Sequence, residues 1–255
     1  MPTHLLPDDH LAALTDAGQM LREAAAKAGL DAPVPTCRAW DVRKLVLHIG
    51  MVHRWARANL RREPASTTSH WRAEGEAATD LLAWFDAGLA ELLATLRTTP
   101  DDAKATVFLN DAPPPRRFWA RRQAHETTIH AADAVAAILG RWPRVADFAV
   151  DPALAADGID ELLCGFITRG RGKLRLDRPV SVAVSAVDTG HSWTVRVGQG
   201  PVVTTVGAVE PADTRLTGTA AQLYLGLWNR GDEITEHGDT GFLPIWRATA
   251  RVRWG

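Results

Sequence analysis

Apolar residues recur three and four positions apart through most of the first 140 residues, the rhythm of a helix that buries one face. Leu11, Leu14, Met20, Leu21 and Ala24 to Ala26 set this rhythm from about Pro7 to Ala28, with Asp8 and Asp9 as cap candidates and Gly29 as the stop. Pro33 and Pro35 interrupt it. After Trp40 and Asp41 a second helix follows, with Val42, Leu45, Val46, Ile49, Val52 and Trp55 on its apolar stripe and its end near Arg62. Glu63 to Ser69 reads as a polar connection. Leu81, Leu82, Phe85, Leu89, Leu92, Leu93 and Leu96 then mark a third helix that ends before Pro100. Pro113 to Pro115 block helix, and Arg116 to Leu139 restores it, closed by Gly140 with Pro143 beyond. Four helices of about 20 residues with moderate connections predict a bundle.

From about Val145 the texture changes. One more helix is expected over Pro152 to Thr168. Pro179 to Val187, Trp193 to Val197 and Val202 to Val206 are short Val/Thr-rich runs bounded by Gly, Pro and Asp, which predicts strands and turns. Leu216 is expected to close a small sheet, Thr219 to Arg230 to form a helix ended by Gly231-Asp232, and Phe242 to Arg247 a last short helix. Strands grouped after helices predict an α+β chain of two domains, a helical bundle over 1–145 and a small α+β domain over 146–255.

Composition narrows the classes of function. At 255 residues, 46% hydrophobic and 23% charged, the chain has the make-up of a folded globular protein rather than a disordered or fibrous one. The net charge of −1 offers no general footprint for nucleic acid or an anionic membrane. The longest stretch without a charged residue, Leu216 to Asn229, is too short to span a bilayer. Cys37 and Cys164 are too few for a disulfide framework, and Met1 to Ala12 lacks the pattern of a secretory leader, so a reducing cytoplasm is expected. Both cysteines are expected to pack rather than react. There is no Gly-rich phosphate loop, no G-x-S-x-G elbow and no paired C-x-x-C.

The chemistry then rests on histidines and carboxylates. His48 shares the stripe of Leu45, Ile49, Val52 and Trp55, so its imidazole projects towards the bundle interior, where a polar ring needs a partner. His53 is rotated from it by roughly 140° and is assigned no role. His125 to His130 superficially resembles H-E-x-x-H, but its two histidines are five apart and diverge by the same angle. Glu126 and His130, four apart, do share a face, and Asp133 continues it. Two imidazoles and a carboxylate from facing helices make a divalent-metal site with an open position, and Asp133 would orient His130 or another of the ligands. Spacing alone fits equally a solvated face for Glu126 and Asp133 and a core histidine at His48. Arg121 and Arg122 read as exposed or paired charges.

The same residues resemble the mycothiol-dependent maleylpyruvate isomerase family. Pro35-Thr36-Cys37-Arg38-Ala39-Trp40, continuing through Leu45 to His48, is similar to the family's P-T-C-x-x-W-x-x-x-x-L-x-x-H. Glu126 to Asp133 resembles its E-x-x-x-H-x-x-D, and Leu223 to Arg230 its L-x-L-x-L-W-x-R. The stretch from Pro152 to Leu163 resembles the start of its second domain. The resemblance implies a DinB-like four-helix bundle followed by a small sterol-carrier-like α+β domain. It implies zinc or another divalent metal on His48, Glu126 and His130, with a water completing the shell. It also implies mycothiol or a similar small thiol as cosubstrate, and Arg230 reaching from the second domain to bind an anionic substrate or the thiol. The expected activity is isomerisation or S-conjugation of a small electrophile bearing a carboxylate. A ligand- or lipid-binding protein with a structural or absent metal, and a thiol-independent metalloenzyme, are the alternatives. Arg38-Ala39 stands where relatives often carry Pro-Gly, and Ala131-Ala132 where they often carry bulkier residues, so pocket shape and substrate are left open. Oligomeric state is left open as well.

Overall fold

The structure is a computed structural model that describes residues 5–63, 68–109, 112–170, 172–238, 241–250 and 252. Residues 1–4 of the amino-terminal stretch and 64–67 of the expected polar connection therefore lie outside the described residues. The chain divides into two compact units. One is Leu6–Phe108 with Ala112–Pro143, and the other consists chiefly of Arg144–Gly255.

The first unit holds α1 (Pro7–Ala28), α2 (Val42–Arg61), α3 (Thr68–Ala77), α4 (Leu81–Thr98) and α5 (Pro115–Leu139). The four long helices form where the periodicity predicts them, and α3 is an addition that starts inside the expected connection. Local signals account for their ends. Pro7 opens α1 at a position whose N–H would have no helical partner, and Gly29, at φ 85°, stops it. The Asp41 carboxylate accepts from the Lys44 N–H at 2.8 Å and starts α2. Asp80 does the same for α4 through Leu82 and Ala83, and Gly140 at φ 66° closes α5. Helix α1 packs on α5 and α4, and α2 packs on α4, α5 and α3.

Two features set how closely α2 and α4 approach. The buried Arg54 guanidinium lies 3.8 Å over the Trp84 ring and donates to the carbonyls of Gly50 (3.1 Å) and Trp84 (2.8 Å). A Cβ on Gly88 would collide with that guanidinium, and one on Gly50 with the Trp84 ring. Farther along, Trp55, Phe108, Phe118 and Trp119 pack with mostly edge-on geometry.

The second unit carries a five-stranded sheet in the order β3-β2-β1-β4-β5, where β1 is Val180–Ala186, β2 Ser192–Val197, β3 Val203–Val206, β4 Thr214–Gly218 and β5 Thr235–Gly238. Only the β1–β4 pairing is parallel. Strand β5, the polar run Thr-Glu-His-Gly, has no hydrophobic alternation, and the sequence pattern does not predict it. Helix α6 (Pro152–Asp160) packs on α7 (Ala220–Leu227), and α8 (Phe242–Thr249) follows β5. The helix expected through Thr168 is regular only to Asp160. It widens into a π-helical turn over Glu161–Phe166 and ends as a 3₁₀ turn. The Asp160 carboxylate there accepts from the Cys164 thiol (3.2 Å), four residues on, and from the Trp193 indole (3.1 Å), a contact that periodicity cannot reveal. Among the described residues no helix is long and apolar enough to cross a membrane. Together the helical first unit and the mixed-sheet second unit give the α+β class expected of the chain.

Candidate metal centre

Two segments of the first unit build the site. The loop before α2 folds back on itself, with the Val34 N–H donating to the Trp40 carbonyl at 3.0 Å and the Trp40 N–H to that of Cys37 at 2.7 Å. This turn delivers Trp40 beside His48, two turns into α2, and Cys37 beside Asp133. Helix α5 supplies the rest. Every residue from Phe118 to Ala134 is buried, although Arg121, Arg122, Gln123, His125, Glu126, Thr127, Thr128, His130 and Asp133 are polar or charged. Burial of polar groups is costly unless they find partners, and most of these do; among the described residues the Gln123 amide is an exception.

At the centre stands Glu126 Oε1. His48 Nε2 lies 3.4 Å from it and His130 Nε2 3.5 Å. One ligand atom from each of the three residues falls within 4.8 Å of the others. Donors at about 2.0–2.1 Å around one tetrahedral cation are separated by about 3.3–3.4 Å. The two nitrogen–oxygen distances have that spacing, at the long end of hydrogen bonding. The remaining groups prepare the donors. His130 Nδ1 bonds Asp133 Oδ2 at 2.8 Å, which turns Nε2 towards Glu126. Arg122 Nη2 donates to the other Glu126 oxygen, Oε2, at 3.0 Å. Two neutral-capable imidazoles and a carboxylate suit zinc or a similar divalent ion, so the residues present fit the implied metal.

Aromatic packing closes one side. The Trp40 ring is stacked on His130, with centroids 5.8 Å apart and planes 14° apart, and is tilted on His48 at 4.9 Å. The Cys37 thiol donates to Asp133 Oδ2 at 3.6 Å, the same oxygen that holds His130.

The charges are arranged for a cation. Burial alone would raise the Glu126 pKa, but hydrogen bonds from His130 and His48 and the charge of Arg122 outweigh it and hold the carboxyl well below its usual range. Burial lowers the pKa of His48, and the Glu126 hydrogen bond only partly offsets this. At His130 burial also lowers, yet the bonds to Asp133 and Glu126 prevail and the pKa is raised. The result is an anionic oxygen between two imidazoles.

The structure thus brings His48, Glu126, His130 and Asp133 together. Arg230, in the second unit, follows α7 and donates to the Trp228 carbonyl at 2.9 Å. Sequence reasoning allowed Glu126 and Asp133 a solvated face, and both are buried because α5 is enclosed on all sides. Arg122 is paired, as one of its two readings had it, but it is not exposed: its side chain is fully buried. His53 does face away from His48, yet it too is buried, because α2 is covered on a second side: Nε2 lies 2.9 Å from Thr127 Oγ1 and the ring packs on Phe85. Sequence reasoning missed Arg122, Trp40 and Cys37 as parts of this centre. The i, i+4 spacing of Arg122 and Glu126 is the signal for the first, and the place of Cys37 and Trp40 in the P-T-C-x-x-W stretch before His48 is the signal for the other two.

Two family models match the chain. One is described as the mycothiol maleylpyruvate isomerase N-terminal domain and covers residues 11–135. The other, its C-terminal counterpart, covers residues 153–244. Among solved structures the chain is similar to the mycothiol-dependent maleylpyruvate isomerase and to a histidine-to-alanine mutant of that enzyme. In both comparisons identity is 16% over 94% of this chain and 98% of the other, with TM-scores of 0.62 and 0.63 respectively. At that identity the likeness is one of fold. No curated protein matches significantly in sequence.

Proposed function

We propose, from the premise that the chain belongs to the mycothiol maleylpyruvate isomerase family, that it is a zinc-dependent enzyme which uses a small thiol of the mycothiol type on an electrophilic carboxylate-bearing substrate. The observation that carries this reading is the convergence of His48, Glu126 and His130 on one point with the nitrogen–oxygen spacing of a shared cation.

A divalent ion held there would keep a thiol as thiolate at neutral pH, a nucleophile able to add reversibly to a polarised double bond, for isomerisation, or to remain in an S-conjugate. The chain's own residues do the rest. Glu126 supplies the negative donor. Asp133 accepts a hydrogen bond from His130 Nδ1–H, which fixes the ring so that Nε2 would offer its lone pair to a cation that displaces its proton. Trp40 covers the ring faces and limits water on that side. Arg230 is assigned as the partner of the substrate's carboxylate on its place in the L-x-L-x-L-W-x-R motif, because a guanidinium fork matches a carboxylate bidentately. Two cysteines that form no disulfide and a thiol cosubstrate suit a reducing, cytoplasmic setting.

The test is turnover by fully zinc-loaded protein with mycothiol and a panel of electrophiles that includes maleylpyruvate. Thiol-dependent consumption supports the reading. Neither thiol binding nor turnover across the panel refutes it, and turnover that survives complete removal of thiol transfers the reading to a thiol-independent metalloenzyme. Arg230→Lys should raise KM for carboxylate substrates while metal content stays full.

A further inference from the structure

We infer that Arg122 is a positioning residue that restricts Glu126 to donation through a single oxygen, and so preserves the open position at the metal. The inference rests on the metal-centre reading above and goes beyond it to a residue that no motif assigns. Glu126 has two oxygens with different surroundings. Oε1 faces both imidazoles, at 3.4 Å and 3.5 Å. Oε2 accepts from Arg122 Nη2 at 3.0 Å, and the arginine side chain is wholly buried while the glutamate's is 5% exposed.

A carboxylate beside a divalent ion can bind through one oxygen or chelate through both. Chelation adds a donor to the ion and occupies the corner that a thiol or substrate needs. A charge-assisted hydrogen bond to Oε2 opposes it, because turning that oxygen to the cation would break the bond and leave the buried guanidinium without this acceptor. Sequence geometry favours the arrangement. Arg122 and Glu126 are four apart on α5, so the arginine lies one turn behind the carboxylate. Asp133 does the equivalent for His130 three residues on. One helix therefore orients two of the three donors from its own flanking turns.

The experiment uses the full chain reconstituted with Co²⁺, whose visible absorption is strong in four-coordinate sites and weak when donors are added. Wild type should show intense bands. Arg122→Gln, at full Co²⁺ content, should lose band intensity several-fold as Glu126 becomes free to chelate, and Arg122→Lys, which restores a donor to Oε2, should recover most of it. Spectra of wild type and Arg122→Gln that coincide at full occupancy would overturn the inference and leave the metal-centre reading intact. Should Arg122→Gln fail to fold, X-ray absorption on zinc-loaded wild type decides: one-oxygen carboxylate binding supports the role, and a chelating carboxylate overturns it. Wild type that takes up no Co²⁺ or Zn²⁺ by elemental analysis removes the inference and the metal-centre reading together, so the two failures are told apart by metal content.

Discussion

Replacing His53 by glutamine should flatten the dependence of stability on acid pH. The His53 imidazole is fully buried. Nε2 is bonded to Thr127 Oγ1, and among the described residues Nδ1 has no hydrogen-bond partner. Burial, reinforced by the nearby charge of Arg54, pushes its pKa down from 6.5 to about 3. The unfolded chain therefore binds a proton at His53 that the folded chain refuses. The penalty is absent above about pH 6.5, grows as the pH falls, and levels off below about pH 3. At about 1.4 kcal/mol per pH unit, the interval from 6.5 down to about pH 5 is worth roughly 2 kcal/mol. The assay is urea unfolding of wild type and His53→Gln at about pH 8 and about pH 5, both stripped of metal so that competition between an ion and protons for its ligands does not contribute. His48 and His130 are common to both proteins and cancel in the comparison. Wild type should lose about 2 kcal/mol more than the variant over that range. Equal losses would show that His53 is protonated in the folded state and would refute the reasoning.

Three further outcomes are expected. Asp133→Asn exchanges a charged partner of His130 Nδ1 for a neutral amide and should weaken zinc affinity by about 10–100-fold in competition with a chromophoric chelator; unchanged affinity would remove Asp133 from the centre. Gly88→Ala places a methyl group against the Arg54 guanidinium, so the urea midpoint should fall by the equivalent of about 1–3 kcal/mol, with no loss expected only if Arg54 can move out of its stack on Trp84. Asp41→Ala removes the cap of the helix that carries His48 and should cost about 1 kcal/mol in thermal or urea unfolding, a value near zero showing that water replaces the carboxylate.

Much of the helical unit is legible locally. A helix announces itself through apolar spacing and through end residues such as Asp41, Gly29 and Gly140, each acting within a few positions of itself. The strands β1 to β3 are legible for the same reason, since Val/Thr runs bounded by turns are local patterns, and β4 is marked only by Leu216. Strand β5 is not. Its four polar residues pair with β4 because Thr214–Gly218 offers a free edge, and nothing in Thr235–Gly238 itself announces it. The π-helical turn after Asp160 likewise lies at a residue with one partner, Trp193, that is distant in sequence.

At the candidate metal centre the division falls in the same place. Helical spacing puts Glu126, His130 and Asp133 on one face of α5 and points His48 inward, because 3.6 residues per turn relates neighbours on one helix. It is silent on the distance between two helices and on what encloses them. The tertiary structure decided that His48 Nε2 comes within 3.4 Å of Glu126, that Trp40 lies over both rings, and that polar residues all round α5 are buried. It also decided the state of His53 and Arg122. Whether such a group is a solvated surface residue, a neutral core ring or a buried cation holding one carboxylate oxygen depends on desolvation and on partners from other helices, and both exist only once the chain has packed.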